Sequence, residues 1–342
     1  MAVAAETLPA AAAAVISSGV LWRTVSGEAL PATPSYLAKI MKDEVLGSIS
    51  AVSSGIVCIS ERHDDFEHHK VQLKVLMTMK KVLTERSQDV SEKLSIGMEM
   101  FQRKHQVYLD KYIAKSDYTL SDLTRDTKWD STWGYDILHY LPILLFAQKF
   151  GIRILGLHPS DEEVENVKLQ GLSNVSPRVI EGVCTNDREH AEDFKRLAVH
   201  QLFLSDFGGC VEAMEAAITR QYEVQCFREE YMAETAAIQM ASQPDGWIAL
   251  LAGERHILKR NGLPFRALRR MTNVRKSLLS PMSPSRGLFT IVPKTASFPI
   301  AAKDAPGMES ADYVWYVQRD PSTEFRENEV NRAPVRRINQ QA

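Results

Sequence analysis

The sequence of 342 residues is 44% hydrophobic and 25% charged, the composition of an ordinary globular protein with room for one large or two modest domains. Its 41 basic and 43 acidic residues are interspersed and leave a formal net charge of −2, so the charge indicates neither a nucleic acid nor an anionic membrane as partner. The four cysteines show no Cys-x-x-Cys spacing, which argues against a thiolate zinc site and a disulfide scaffold. No apolar run approaches the roughly 18 residues that a transmembrane helix needs, so no membrane span is predicted.

Residues 1–48 are predicted to stand apart from the folded domain. The Ala-rich stretch at residues 8–22 resembles a short signal h-region, but Glu6 precedes it and no basic residue supplies the usual n-region. The segment is interpreted either as the remnant of a targeting sequence, with a plastid as the favoured destination, or as a loosely docked arm.

Short β-rich runs then alternate with longer helical runs, which predicts an α/β domain over residues 49–319 with a mostly parallel sheet flanked by helices. Strands are predicted at residues 55–60, 94–99, 152–158 and 247–252, with two further edge strands at 287–293 and 313–317. Helices are predicted at residues 66–85, 102–114 and 137–150, and a long helical excursion at 187–240 is predicted to cap the carboxyl edge of the sheet. A Ser/Pro-rich loop at residues 275–286 and a polar tail at 320–342 are predicted to be mobile.

Each of the four clearest predicted strands ends in ionisable residues. The carboxyl ends of parallel strands lie along one edge of a sheet, so these side chains are expected to converge. Glutamate and neutral histidine bind metals, and together they can activate a water by acid–base chemistry. The six residues are Glu61, His63, Glu99, His158, Glu254 and His256.

The tripeptide Glu-Arg-His occurs twice, at residues 61–63 and 254–256, each time directly after an apolar strand. Gly253 precedes the second copy and permits a tight turn or the close approach of a ligand. Either copy alone is equally typical of a solvated turn, but the pair together with Glu99 favours a site. His68 and His69, on the following helix, are more typical of a solvated helix face.

Glu99 ends an apolar run, and a buried carboxylate needs a partner because an unpaired buried charge costs several kcal/mol. Arg103 would be a purely structural partner, as would the arginines of the two Glu-Arg-His copies. A metal, His63 or His256 would be a functional one.

Five motifs, in order, resemble those of the ChaN-like proteins, the haem-binding uptake branch of the Tiki superfamily. The motifs are ISERHDDFEHHKVQL, GMEMFQRKHQ, TKWDSTWGYDILHYLPILLFAQKFGIRILGL, CFREEYMAE and LLAGERHILKRNGLP. The resemblance extends from about residue 55 to about residue 293. The chain departs from the family pattern twice, with Ser60 in place of a glycine and His158 where asparagine is common.

The resemblance implies two functions from different classes. The first is binding of haem, another tetrapyrrole or iron, with a homodimer as a further expectation because a flat cofactor can be buried between equivalent surfaces. The cofactor-binding residues would be His63, Glu99, Trp129, Trp133, Tyr231, Met232, Gly253 and His256. The second is a metal-dependent esterase or peptidase, in which Glu61, His63, Glu99 and His256 would be catalytic and would hold a divalent metal, with His158 as a further ligand.

Several of these residue types also have a purely structural explanation. Trp129 and Trp133 are equally typical of aromatic packing over a sheet edge, and Tyr231 and Met232 of an amphipathic core face. Haem iron accepts His, Met, Tyr or Cys, so the sequence leaves the axial ligand open.

Overall fold

The computed structural model describes residues 19–46, 54–86, 89–114, 117–174, 191–192, 195, 208–257, 262–276, 287–295 and 311–318. The predicted tail at 320–342, residues 1–18 of the predicted arm and residues 277–286 of the Ser/Pro-rich loop lie outside these ranges. Among the described residues, no helix is long and apolar enough to cross a membrane.

A single eight-stranded sheet forms the centre of the molecule, in the order β2-β1-β8-β7-β3-β6-β4-β5. All pairings from β8 to β5 are parallel, whereas β1 runs antiparallel to both of its neighbours. The prediction of an α/β fold with a mostly parallel sheet flanked by helices is therefore confirmed. The strands are β1 Val20–Arg23, β2 Glu28–Pro31, β3 Gly55–Glu61, β4 Leu94–Gln102, β5 Arg153–His158, β6 Trp247–Gly253, β7 Leu288–Thr295 and β8 Tyr313–Val317.

Helices cover both faces of the sheet. Because both faces are covered, β3 and β6 are buried along their whole length. This explains why their sequences are nearly continuous apolar runs. The helices are α1 Pro34–Ile40, α2 Phe66–Glu85, α3 Val90–Lys93, α4 Gln106–Ala114, α5 Leu120–Thr127, α6 Trp129–Thr132, α7 Leu141–Phe150, α8 Asp161–Gln170, α9 Val211–Ser242 and α10 Leu263–Lys276. A π-helical turn, Met41–Val45, and three 3-10 turns, Arg103–His105, Ile137–His139 and Leu172–Asn174, complete the described elements.

The sheet separates two hydrophobic cores, one on each of its faces. On one face, α2 and α7 pack on alternate strand residues such as Val57 and Ile59. On the other, α9 and α10 pack on the intervening residues, including Cys58. Side chains at the carboxyl ends of the strands therefore point alternately towards α2 and towards α9.

Two helix starts fix the loops that carry the site. Asp65 caps α2, and its side chain accepts a hydrogen bond from the backbone N–H of Glu67 at 3.1 Å. Ser160 and Glu163 form a reciprocal capping box at the start of α8. The chain is thus turned sharply from strand to helix directly after β3 and soon after β5.

Part of the predicted N-terminal arm belongs to the sheet. Residues 20–31 form β1 and β2, and β1 pairs with β8. Leu21, Leu30 and Leu37 are buried in the main core, so this part of the chain is not loosely docked. Two strands of four residues each carry too little hydrophobic alternation to be predicted from the sequence.

The predicted helical excursion is described only in part. Its described helix, α9, starts at Val211 and ends at Ser242, and residues 175–190 and 196–207 lie outside the described ranges. The helix of 32 residues spans about 48 Å at 1.5 Å per residue. Its C-terminal part packs on the sheet, and its middle reaches the carboxyl edge, where Gln225 and Glu229 contact His256.

Candidate functional site

The two Glu-Arg-His copies lie side by side. β3 and β6 are neighbours in the sheet, and Glu61 is directly opposite Gly253 in their register. The pairing continues past the strands, because the backbone N–H of Glu254 donates to the carbonyl of Glu61 at 2.8 Å. Two loops encoded far apart therefore form one rim.

Glu61 is a buried carboxylate with a full set of donors. Its Oε1 accepts from Nδ1 of His63 at 2.7 Å and from the hydroxyl of Tyr140 at 2.8 Å. Its Oε2 accepts from Nε2 of Gln72 at 2.8 Å and lies 3.3 Å from Nδ1 of His69. Burial raises the pKa of Glu61, but the charges and hydrogen bonds of His69 and His63 outweigh it and lower the pKa to about 2. Glu61 is therefore ionised at neutral pH.

His69 is the counter-ion of Glu61. Its Nε2 faces the carbonyl of His63 at 3.3 Å, and its Nδ1 faces oxygens of Glu61 and Gln72. Both ring nitrogens thus face acceptors, as an imidazolium requires. Burial lowers the pKa of His69, but the charge of Glu61 and these hydrogen bonds raise it overall.

His63 differs from His69 because one of its ring nitrogens has no hydrogen-bond partner among the described residues. Nδ1 donates to Glu61, which places the lone pair of a neutral ring on Nε2. Within the part of the chain that the structure describes, Nε2 makes no hydrogen bond, and the side chain is 24% exposed. Burial lowers the pKa of His63, but the hydrogen bond to Glu61 and the charge of Glu99 raise it overall.

An aromatic wall borders His63. The rings of Trp133 and Tyr135 lie 4.8 and 5.1 Å from the imidazole, centroid to centroid. Tyr135 is 38% exposed, and Leu138 nearby in sequence is 55% exposed. Trp129 is only 1% exposed and donates from Nε1 to the carbonyl of Tyr135 at 2.6 Å, so it supports the wall from the core and does not face a ligand.

Glu99 enters the site from the α9 side of the sheet. Its Oε2 accepts from the backbone N–H of Gly253 at 2.7 Å, and its Oε1 lies 3.2 Å from Nε2 of His256. Burial raises the pKa of Glu99, but the charges of His256 and His63 outweigh it and hold the pKa well below its usual range. Arg103 is not its partner, because that guanidinium binds Glu234 and the carbonyl of Tyr231.

His256 is held between two carboxylates. Nε2 faces Glu99, and Nδ1 lies 3.3 Å from Glu229 and 2.9 Å from the amide of Gln225. Burial lowers the pKa of His256, but the charge of Glu99 and the hydrogen bonds to Glu229 and Glu99 raise it to about 9. Since both nitrogens are engaged, His256 is a counter-ion in this geometry and has no lone pair for a ligand.

Gly253 is the point where the two halves meet. A Cβ at this position would lie 2.9 Å from Cε1 of His63, 3.0 Å from its Nε2 and 3.5 Å from Oε2 of Glu99. Only a residue without a side chain lets both groups approach the same stretch of backbone. The structure thus brings Glu61, His63, Glu99 and His256 together around Gly253.

The other predicted site residues lie elsewhere. Met232 is fully buried among apolar residues of β5 and β6, because it belongs to the core face of α9. The ring of Tyr231 lies under the guanidinium of Arg103, at 3.7 Å, and lines a separate polar cavity between α8 and α9. His158 is at the carboxyl end of β5, where burial and the charge of Arg228 lower its pKa to about 4 and keep it neutral.

The residues predicted as metal ligands are directed at one another. Glu61 and Glu99 are each bound by imidazole, and Glu99 also by backbone N–H, so their oxygens are occupied. Among the residues that the structure describes, no three His, Cys, Asp or Glu side chains form a group that could hold a metal ion. The arrangement does not support the predicted divalent metal site.

Several residues that build the site were not predicted. His68 and His69 are 1% and 2% exposed, so the prediction of a solvated helix face is wrong. Their signal was present, because His69 and Gln72 are three residues apart on a helix that starts directly after Glu61. Tyr140, Gln225 and Glu229 come from distant elements and leave no local pattern.

The fold and the site define an α/β protein whose sheet edge carries two Glu–His pairs, one on each face. A family model described as haem-binding uptake, Tiki superfamily, ChaN matches residues 50–266. The chain belongs to this family.

Among solved structures, the chain is similar to one titled "Cofacial heme binding to ChaN of Campylobacter jejuni". The TM-score is 0.60 at 17% identity, covering 88% of this chain and 97% of that one, a level of similarity that shows the fold alone. The type III effector HopBA1 matches with a TM-score of 0.41 at 9% identity, over 78% of this chain and 88% of that one. An erythromycin esterase mutant matches with a TM-score of 0.36 at 13% identity, over 82% and 81%. No curated protein sequence matches the chain.

Proposed function

We propose that this protein binds haem at the carboxyl edge of its sheet, with His63 as the axial ligand. The observation that carries the proposal is the state of His63: its Nδ1 is anchored on Glu61, its Nε2 makes no hydrogen bond in the described part of the chain, and the ring is partly exposed. Membership of a family described as haem-binding uptake supports haem as the bound molecule.

The chemistry of the site suits a haem. A neutral imidazole nitrogen is a common axial ligand, and a carboxylate hydrogen-bonded to the other nitrogen fixes the tautomer and raises the basicity of the ligand. Trp133 and Tyr135 offer an apolar surface beside His63, as a flat macrocycle requires. Bound haem would supply an iron centre and a strong visible absorption band.

The two buried imidazolium groups have a separate role. His69 balances the charge of Glu61, and His256 balances that of Glu99, so neither carboxylate needs His63 to be protonated. Glu99 in turn holds the N–H of Gly253, against which the His63 ring lies. These groups orient His63 and do not themselves bind the iron.

The proposal extends to the handling of haem or iron by the cell, and to a homodimer in which the exposed aromatic wall of one copy faces that of another. Tyr135 and Leu138 are the exposed apolar residues that such a face would cover. Light scattering of the protein with and without haemin tests the dimer. The plastid stays a prediction, since residues 1–18 lie outside the described ranges.

The test is a visible absorption titration of the purified apo-protein with haemin. We expect the wild-type protein to give a Soret band that saturates at a fixed ratio, and His63→Ala to weaken binding at least tenfold, about 1.4 kcal/mol. Glu61→Gln should shift the band and weaken binding less, because the ligand remains but its orientation loosens.

His105→Gln, in the 3-10 turn after β4 and outside the site, is the matched control and should bind haemin like the wild type. A His63→Ala variant that keeps the wild-type affinity and band position would reject His63 as the ligand. A wild-type protein without any saturable band would reject haem binding altogether.

A hydrolase is the second candidate. The observation in its favour is that a carboxylate orients His63 through Nδ1 and leaves Nε2 to accept a proton, which is the arrangement of a general base. Assays with ester and peptide substrates on the same variants separate the candidates. Turnover that His63→Ala abolishes, in a protein that does not bind haemin, would favour the hydrolase.

A further inference from the structure

Arg228 on α9 lacks a hydrogen-bond or ion-pair partner among the described residues. Its Nε is buried and makes no hydrogen bond there. Burial lowers the pKa of Arg228, which shows that the surroundings disfavour its charge. A guanidinium nitrogen that is buried without an acceptor is costly, so the unmet Nε points to an acceptor beyond the described residues, which a bound ligand can supply.

The position of Arg228 places it beside the proposed haem site. Arg228 is one turn before Met232, on the same face of α9, and Met232 belongs to the buried cluster that includes Leu155 and Leu157 of β5. The guanidinium therefore lies over the carboxyl end of β5, where its charge acts on His158. It also lies within electrostatic reach of Glu99, the carboxylate that holds Gly253.

A second unsatisfied polar atom lies at the same edge. Gln102 ends β4 opposite His158 in the β4–β5 register. Its Nε2 donates to Oδ1 of Asp161 at 2.9 Å, but its Oε1 is buried and has no hydrogen-bond partner among the described residues. Most buried polar atoms in native proteins are satisfied, so the donor left over on Arg228 indicates a place for an acceptor, whereas Oε1 of Gln102 needs a donor such as a water.

We propose that Arg228 binds a carboxylate of the ligand, the propionate of a haem. This inference rests on the proposed function and goes further, because it assigns the orientation of the macrocycle: a carboxylate side chain directed towards β5 and α9. A guanidinium matches a carboxylate with two parallel hydrogen bonds and keeps its charge when buried.

The surrounding charges favour a carboxylate over a phosphate. Glu99 and Asp161 are the acidic groups that act on Arg228, and His158 beside it is neutral. A second negative charge on the ligand would add repulsion from both acids, and His256, the imidazolium at this edge, is already paired with Glu99 and Glu229. A singly charged carboxylate is therefore the better match.

The experiment compares haemin with haemin dimethyl ester, whose propionates are neutral, in titrations of the full chain. We expect the wild type to bind haemin at least tenfold more tightly than the ester. Arg228→Gln should remove this preference, because it should weaken the binding of haemin about tenfold and leave the affinity for the ester unchanged. Arg228→Lys should restore part of the preference, because it restores the charge without the paired donors.

Arg220→Gln is the matched control. Arg220 lies on the same helix but is paired with Glu223 at 2.6 Å, and its loss should not change the preference for haemin. Arg228→Gln should melt at the wild-type temperature or above, since it removes an unpaired buried charge. This checks that any loss of binding is not a loss of fold.

The outcomes separate this inference from the proposed function. If Arg228→Gln weakens the binding of haemin and of the ester equally, or weakens the binding of neither, the carboxylate contact is overturned while haem binding stays in place. Competition by inorganic phosphate against haemin in the wild type, lost in Arg228→Gln, would assign Arg228 to a free anion instead. A wild type that binds neither porphyrin would overturn both proposals.

Discussion

At the scale of single residues, the site depends on one missing side chain. The backbone conformation of Gly253 is one that other residues could adopt. The glycine matters because its missing side chain leaves space for His63 and Glu99. The neighbouring charges are arranged in pairs, so that each buried carboxylate has its own imidazolium. Of the three histidines His63, His69 and His256, only His63 has a ring nitrogen that makes no hydrogen bond in the described part of the chain.

Gly253→Ala should therefore damage the site more than the fold. Its Cβ would lie 2.9 Å from the His63 ring, which must move, and we expect haemin affinity to fall at least tenfold. The overpacking should cost about 1–3 kcal/mol of unfolding free energy. Haemin titration and urea unfolding measure the two effects.

Gly246→Ala is the control for the loss of glycine, because its Cβ would meet only Gln243. If Gly253→Ala binds haemin like the wild type, the close approach of His63 to this backbone is not needed for binding.

At the scale of elements, α9 is tied to the sheet edge by charge as well as by packing. Glu229 links the loop after β6 to α10. Its Oε1 lies 3.3 Å from Nδ1 of His256, and its Oε2 lies 3.0 Å from Nε of Arg266. Glu230 binds Arg266 as well, at 2.7 Å. The helix is thus fixed above the site at its middle, between its core-packing C-terminal part and the segment that precedes Val211.

This tie predicts a pH dependence of stability. The pKa of His256 is about 9 in the folded protein and 6.5 in its ordinary state, so its contribution is fully present below pH 6.5 and is lost as the pH rises through 9. A shift of this size corresponds to roughly 3 kcal/mol. Urea unfolding at pH 7 and pH 10 should show the loss.

His256→Gln, which has no such charge, should lose less stability over the same pH range. Equal losses in the two proteins would show that the ion pair with Glu99 and Glu229 does not carry the effect.

The elements also show what the sequence can predict. β3, β6 and α2 were predicted almost to the residue, because a continuous apolar run or a helical period marks each of them. The grouping of Glu61, His63, Glu99 and His256 follows from the rule that parallel strands end at one edge. Their partners do not follow from it: Tyr140 is 79 residues from Glu61, and Glu229 is 27 residues from His256 on another element, so only the packed fold selects them.

At the scale of the whole molecule, the N-terminal strands close one edge of the sheet. β1 pairs antiparallel with β8 and β2 pairs outside it, so without them β8 would present an open row of backbone groups. Leu21 and Leu30 would lose their burial in the main core. The first strands therefore belong to the fold that carries the site, although the family match begins at residue 50.

Removing residues 1–31 should lower the melting temperature by about 10 °C or make the protein aggregate. Two buried leucines contribute roughly 3–6 kcal/mol, and each kcal/mol shifts the melting temperature of a large domain by about 2–4 °C. Removing only residues 1–18 is the control, and the difference in melting temperature between the two shortened chains isolates the contribution of β1 and β2. A shorter chain that melts like the wild type would show that β1 and β2 do not stabilise the sheet.

The pairing of β3 with β6 also sets the order of events during synthesis. These strands lie side by side, yet Glu61 and Gly253 are encoded nearly two hundred positions apart. A nascent chain that has emerged from the ribosome only as far as α9 has His63 but neither the glycine nor the backbone against which the ring rests. We therefore expect any ligand of this site to be held only after β6 has been released and inserted between β3 and β4, which makes loading a late event.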